Sequence, residues 1–315
     1  MFGKIIKIII ILVILTMWIP LATVATGEQN LQGKVVILDP GHGEENTNSY
    51  EGYDEQVTMF ALAQKIKPIL ESRGATVYMT RSSYSEVILP VRSAMINKWA
   101  LLAARDSGEA DPAEADRLIT AMQSVIDDPE TNAPVYFNYP FDYTYTRTIN
   151  PDLEEIFDFE AGPSVQDHLL VVSLHSNATG KPINTAEQGA YAYYISNNLE
   201  KNMTYYSNYS AEKANAYFAE QILDNIDAIG INKREAKDYY FHILRENNVP
   251  CVLVENGFHT NDHDRALLSD DAFLDRLALV YADTIFDYFI WLDTSPSYRG
   301  GWFDKIFGAF TQPER

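Results

Sequence analysis

Cysteine is almost absent. Cys251 is the only one in 315 residues, so no internal disulfide can form. It falls inside an apolar run and reads as small core filler rather than as a nucleophile. Positive charge is also scarce: 24 Lys and Arg stand against 44 Asp and Glu, a formal charge of −20. Such a surface repels nucleic acid and anionic membranes. It also argues against bulk electrostatic adhesion to an anionic polymer, so any polymer recognition must be local and shape-based. No internal repeat, second module or HExxH element is present, which excludes the helix-borne metalloprotease motif. What the chain does have is an apolar fraction of 46%, ample for a core.

The first 25 residues read as a targeting segment. Lys4 and Lys7 precede the apolar stretch Ile8–Ile19, Pro20 breaks it, and Thr23-Val24-Ala25 offers small residues for cleavage after Ala25. The apolar stretch is shorter than the roughly 18–20 residues that a membrane span prefers, which favours a cleaved signal peptide. A retained anchor counting Ile5 and Ile6 and running towards Val24 is the alternative, and it would be the chain's only membrane contact. Either way the remainder is expected to be exported, and loss of Lys4 and Lys7 would bring the charge to −22.

The chain is organised around KVVILDPGHG at 34–43. A short unbroken run of mostly β-branched residues bounded by turn residues reads as a buried strand of a parallel sheet. Pro40 and Gly41 end it, so His42 is presented on the loop leaving its C-terminal end. Leu169–Leu174 repeats the arrangement and delivers His175, and Pro250–Val254 delivers Glu255. A lone histidine after a strand is more often a hydrogen-bonded loop residue. Three parallel strands in one sheet, however, bring three such groups to the rim where α/β sheets bind ligands.

Between these runs the pattern alternates. A helix is expected from about Asp54 to Arg73, with Asp54 as N-cap, Gly74 as stop, and Val57, Phe60, Ala61, Ile66, Ile69 and Leu70 as its apolar face. Glu55 falls in its first turn, where by itself it reads as a carboxylate complementing the helix dipole. Ala75–Thr80 reads as a strand and Val91 to about Ala104 as a helix, an order that points to an α/β sheet with helices on both faces. The pattern lapses at about 98–168, an insertion before the strand carrying the second histidine. It lacks an apolar core of its own and reads as an elaboration hung from the sheet edge. Its aromatic stretch (Tyr136, Phe137, Tyr139, Phe141, Tyr143 and Tyr145) reads as a groove for sugar rings, a cap on the site, or a packed excursion. Gly189–Ile195 reads as a strand, Ala211–Ile226 and Asp271–Leu292 as helices, and 293–315 as a tail.

Zinc accepts imidazole nitrogen and carboxylate oxygen, typically from three protein ligands in a catalytic site. His42, Glu55 and His175 offer that set for one Zn2+ ion. Bound zinc polarises a carbonyl and lowers the pKa of its water to roughly 7. Glu255, at the same rim and not needed for coordination, suits the acid–base task. Together they imply amide hydrolysis.

VVILDPGHG at 35–43, GYDEQ at 52–56, Thr80-Arg81, Arg92 to Asn97, SLHSN at 173–177 and PCVLVENGFHTN at 250–261 resemble the zinc-dependent N-acetylmuramoyl-L-alanine amidases of the Amidase_3 type. Several motifs in the right order over 34–292 are far more specific than any one of them. The resemblance implies an α/β sandwich with a mixed, mostly parallel sheet. It also implies cleavage of the amide joining N-acetylmuramic acid to L-alanine in peptidoglycan, and a place outside the cell or in its wall. By motif, His42, Glu55 and His175 take the zinc-ligand roles and Glu255 that of the catalytic glutamate. Asp39 and Asn177 are expected to orient ligands from behind. His259 and His263 sit where the family has ordinary loop residues and are expected at the surface.

The chain departs from the family in its insertion of about seventy residues and in having no wall-binding repeats. Besides peptidoglycan, the resemblance leaves room for a protein activator. A wall-binding or regulatory protein without turnover, and a zinc peptidase on a related scaffold, are the competing readings.

Overall fold

The structure is a computed structural model describing residues 30–137, 149–197, 206 and 208–295. The targeting segment, Tyr139, Phe141, Tyr143 and Tyr145, and the tail beyond 295 lie outside the described residues. No described helix is long and apolar enough to cross a membrane.

The expected strands form. β1 (Val35–Pro40) is followed by the two-residue strands β2 (Ser49–Tyr50) and β3 (Tyr53–Asp54), which pair with each other, and then by β4 (Thr76–Met79). β5 (Leu169–Asn177), β6 (Ala190–Tyr194), β7 (Lys233–Asp238) and β8 (Cys251–Phe258) complete the set. Six of them make one sheet in the order β4-β1-β5-β8-β6-β7. β4, β1, β5 and β8 are mutually parallel, whereas β6 is antiparallel to β8 and carries β7 parallel to itself. The sheet is therefore mixed and mostly parallel. The central strands are apolar on both faces because both faces are covered.

Alternation along the strands divides the core in two. Val36, Leu38, Leu170, Val172, Val252 and Val254 face α1 (Glu55–Ser72), α7 (Glu212–Asp227) and α8 (Asp271–Thr294). Ile37, Val171, Cys251 and Leu253 join the cluster built with α2 (Leu89–Ser107). Glu55, Gln56, Met59, Phe60, Leu62, Ala63, Ile66 and Leu70 are the buried side of α1. Of the expected face, Phe60, Ile66 and Leu70 are buried, Ala61 and Ile69 half-buried and Val57 exposed, and Glu55 begins the inward stripe.

The insertion is not an appendage of the sheet edge. α3 (Pro112–Asp127), α4 (Pro129–Tyr136), α5 (Pro151–Glu160) and α6 (Pro163–Gln166) continue the second core over α2. Leu118, Met122, Val125, Leu153, Ile156 and Phe157 are buried in the same cluster as Ile37 and Val171. Phe137 is also fully buried there, so it is core rather than groove lining. The apolar spacing 115, 118, 122, 125 on α3 finds its partner in a neighbouring helix, not in a core of the insertion's own.

Candidate metal centre

β1 ends in a turn that two buried arginines hold. Arg92, from α2, donates through Nη1 to the Asp39 carboxylate (2.9 Å) and to the Pro40 carbonyl (2.7 Å), and through Nη2 to the His42 carbonyl (2.7 Å). Arg81 donates to the carbonyls of Pro40, Gly41 and Gln56 at 3.0, 3.1 and 2.6 Å. These bonds hold His42 at φ +57°, a left-handed conformation that costs about 1–3 kcal/mol for a non-glycine residue.

The three candidate ligands meet. Glu55 opens α1 behind the N-cap Asp54, and its side chain is fully buried. His42 Nε2 lies 3.2 Å from Glu55 Oε2, and His175 Nδ1 lies 3.0 Å from Glu55 Oε1. The two imidazoles are 5.2 Å apart, edge to face. Asn48 Nδ2 donates to Oε2 at 2.5 Å and the Ser176 N–H donates to Oε1 at 3.0 Å, fixing the carboxylate plane. Burial opposes ionisation of Glu55, but the hydrogen bonds and charges of His175 and His42 hold it well below the usual carboxylate range. Burial likewise works against a charged His42, and Glu55 outweighs it, raising the imidazole above its ordinary value.

This donor set fits a divalent cation. One ligand atom from each of the three residues lies within 4.8 Å of the others. Two neutral imidazole nitrogens and one carboxylate oxygen are what a catalytic zinc site takes, at about 2.0–2.2 Å from the ion.

Glu255 stands directly opposite His175 in the β5–β8 register. Its Oε2 is buried with no hydrogen-bond partner among the described residues. Burial pushes its carboxyl up to about 8, the nearby His175 opposing and Glu55 reinforcing the rise. A buried carboxyl oxygen without a partner among the described residues, on a group of near-neutral pKa beside a metal-capable cluster, is equipped to take and return a proton.

Asp39 touches none of the three ligands. It accepts from Thr80 Oγ1 (2.5 Å), Ser173 Oγ (2.6 Å) and Arg92, and reaches the His42 loop only through Arg92. Asn177 offers its carbonyl to the His259 N–H at 2.9 Å. His263 is 59% exposed at its side chain, but His259 is not a surface residue: it is 1% exposed. It stacks on Tyr53, with ring centroids 5.0 Å apart, and its Nδ1 lies 3.1 Å from both the carbonyl and the hydroxyl of Ser176. Tyr53 completes the group with a 2.9 Å hydrogen bond to the same hydroxyl. Asn256 was also unmarked by the sequence: its Nδ2 donates to the His175 carbonyl at 3.0 Å, while its Oδ1 accepts from Tyr281. Proximity in the strings SLHSN and ENGFH was the one signal for either residue.

A mixed α/β sheet whose parallel strands bring two histidines and an acid, Glu255, to the rim where helix α1 places Glu55 defines an enzyme of the metal-dependent hydrolase type. The chain belongs to Amidase_3, described as N-acetylmuramoyl-L-alanine amidase, which matches residues 36–103 and 138–287. The unmatched span between falls in the insertion. The chain is 23% identical over 273 residues to N-acetylmuramoyl-L-alanine amidase AmiA of Escherichia coli, covering 84% of this chain and 79% of that protein. It is 39% identical over 67 residues to the probable cell wall amidase LytH of Staphylococcus saprophyticus, covering 20% and 23%. The same fold occurs in the amidase Ami1 of Mycobacterium smegmatis, with a TM-score of 0.52 at 16% identity, covering 82% of this chain and 98% of that one.

Proposed function

We propose that this enzyme hydrolyses the amide between N-acetylmuramic acid and L-alanine in bacterial peptidoglycan. His42, Glu55 and His175 hold one zinc ion, and Glu255 is general base and then general acid. The observation that carries the reading is the unpaired Oε2 of Glu255, set opposite His175 at the rim where the three ligand side chains meet.

Zinc bound there supplies Lewis acidity towards the scissile carbonyl and brings the pKa of water towards neutrality. The chain's residues supply the rest. His42 Nε2 and His175 Nδ1 present lone pairs, and Glu55 contributes a charge that Asn48 and the Ser176 amide hold in one orientation. Glu255 Oε2 takes the proton of the attacking water and passes it to the departing alanine nitrogen. Its near-neutral pKa suits both transfers. The enzyme works outside the cytoplasm, exported by its first 25 residues, on glycan strands bearing stem peptides.

The test pairs zinc analysis of the purified protein with mass analysis of products from purified wall. A free L-alanine amino terminus is expected. Its absence, cleavage of plain peptides in place of muramoyl peptides, or an active Glu255→Ala variant would overturn the reading.

A further inference from the structure

The row of functional side chains does not stop at Glu255. In the sheet register His175 is opposite Glu255, and Glu255 is opposite Tyr191 on the antiparallel strand β6. On β7 the register skips: Ala190 pairs with Lys233 and Ala192 with Ala236, so Arg234 and Glu235 together face Tyr191. Such a bulge re-aims side chains. Arg234 Nε donates to the Tyr191 hydroxyl at 3.2 Å, its guanidinium lies 5.5 Å from that ring, and Lys237 Nζ lies 4.7 Å from the same ring. Tyr193 stacks beside Tyr191, centroids 6.1 Å apart, with Phe241 edge-on behind it at 5.2 Å.

We propose that Tyr191, Arg234 and Lys237 form a subsite for a carboxylate of the stem peptide, on the amine side of the scissile bond. This deepens the amidase reading and rests on it. The chain carries −20, yet two cations converge on one partly exposed tyrosine in line with the candidate acid. The glycan offers N-acetylated, uncharged sugars, whereas the peptide beyond L-alanine carries free carboxylates, so charge selects the peptide. Spacing agrees as well. Glu255 and β7 are two strands apart, about 10 Å, which about three extended residues span. Finally, the two cations are held only loosely. Arg234 pairs with Glu187 at 3.3 Å and Lys237 with Glu235 at 3.1 Å, both cations being 39% exposed at the side chain. Exposed pairs of this kind are weak, so a carboxylate reaching both cations and the tyrosine hydroxyl replaces them.

The test uses the full-length enzyme and two soluble muramoyl peptides, one with free carboxyl groups and one with every peptide carboxyl converted to an amide. The native enzyme is expected to favour the free acid by about tenfold in KM, a preference that shrinks as salt rises. Arg234→Gln with Lys237→Gln is expected to erase that preference through KM, with kcat on the acid substrate held within about twofold. Equal losses on both substrates would mark a structural role and overturn the subsite. So would a native enzyme that cleaves both substrates without preference. A native enzyme that cleaves neither would overturn the amidase reading and the subsite with it.

Discussion

The imidazole of His175 occupies the space that a side chain on Gly41 would need: a Cβ built there overlaps the ring. Gly41 is not among the residues of positive φ, so the demand is for room rather than for conformational freedom. The turn after β1 therefore sets not only where His42 projects but also how closely the neighbouring strand's histidine can approach Glu55. Gly41→Ala is expected to leave the thermal unfolding midpoint nearly unchanged while lowering zinc affinity at least about tenfold, the scale of changes just behind a metal's ligands. Chelator competition checks this. An alanine variant that held zinc as tightly as the native protein would mean that His175 is not confined by this contact.

Glu255 invites a test that separates protonation from binding. Glu255→Gln keeps the shape and removes the base, so zinc content should be retained while kcat falls by about 10²–10⁴. Burial pushes the carboxyl up to about 8, and a cation beside it favours the ionised form and brings it down. The base acts when ionised, so kcat/KM should rise with pH through this group's pKa. The acid limb should lie below 8 in the zinc form. An unchanged acid limb in Glu255→Gln would assign that limb to another group.

How much of this was legible in the sequence depends on whether a residue's role is set by its own strand or by a distant partner. β1, β5 and β8 were readable because burial on both faces leaves continuous apolar runs, and the turn residues after them mark where His42, His175 and Glu255 emerge. Glu55 was ambiguous in its own segment, since any acid in a first helical turn complements the dipole. Only the motif series set it beside two histidines. The reversed direction of β6 and β7 had no local signature, because side-chain alternation is the same for either direction. The insertion was misread for a related reason: the apolar side of α3 is matched by α2 and α4, and no periodicity names that partner. His259 looked like any loop histidine until Tyr53, over two hundred residues earlier, was found stacked on it.

That stacking gives His259 a consequence for the metal. The Ser176 carbonyl can only accept, so its 3.1 Å contact with Nδ1 requires a proton on that nitrogen. The imidazole thereby holds Ser176, the residue next to His175 whose N–H orients Glu55. His259→Leu should fill similar space, retain the fold and weaken zinc binding by about ten- to hundredfold. His259→Asn, which restores a donor, should recover part of the loss. Equal zinc affinity in all three proteins would reduce His259 to packing.

Glu160 carries a prediction about stability rather than catalysis. It closes α5, where Oε2 accepts the Asn248 N–H at 2.5 Å and Oε1 is buried without a partner among the described residues. Burial pushes its carboxyl up to about 8, only partly offset by that hydrogen bond. In the unfolded chain a glutamate ionises near 4.3. Between the two values the folded state holds a proton that the unfolded state has released, so raising the pH favours unfolding. Stability from this group is therefore full below about pH 4 and declines up to about pH 8, by a few kcal/mol in all. Glu160→Gln has no proton to lose and should be the more stable protein at pH 8, with little difference at pH 4. Urea unfolding of both proteins across that range measures it, and parallel pH profiles would show that Glu160 is ionised and solvated in the folded state.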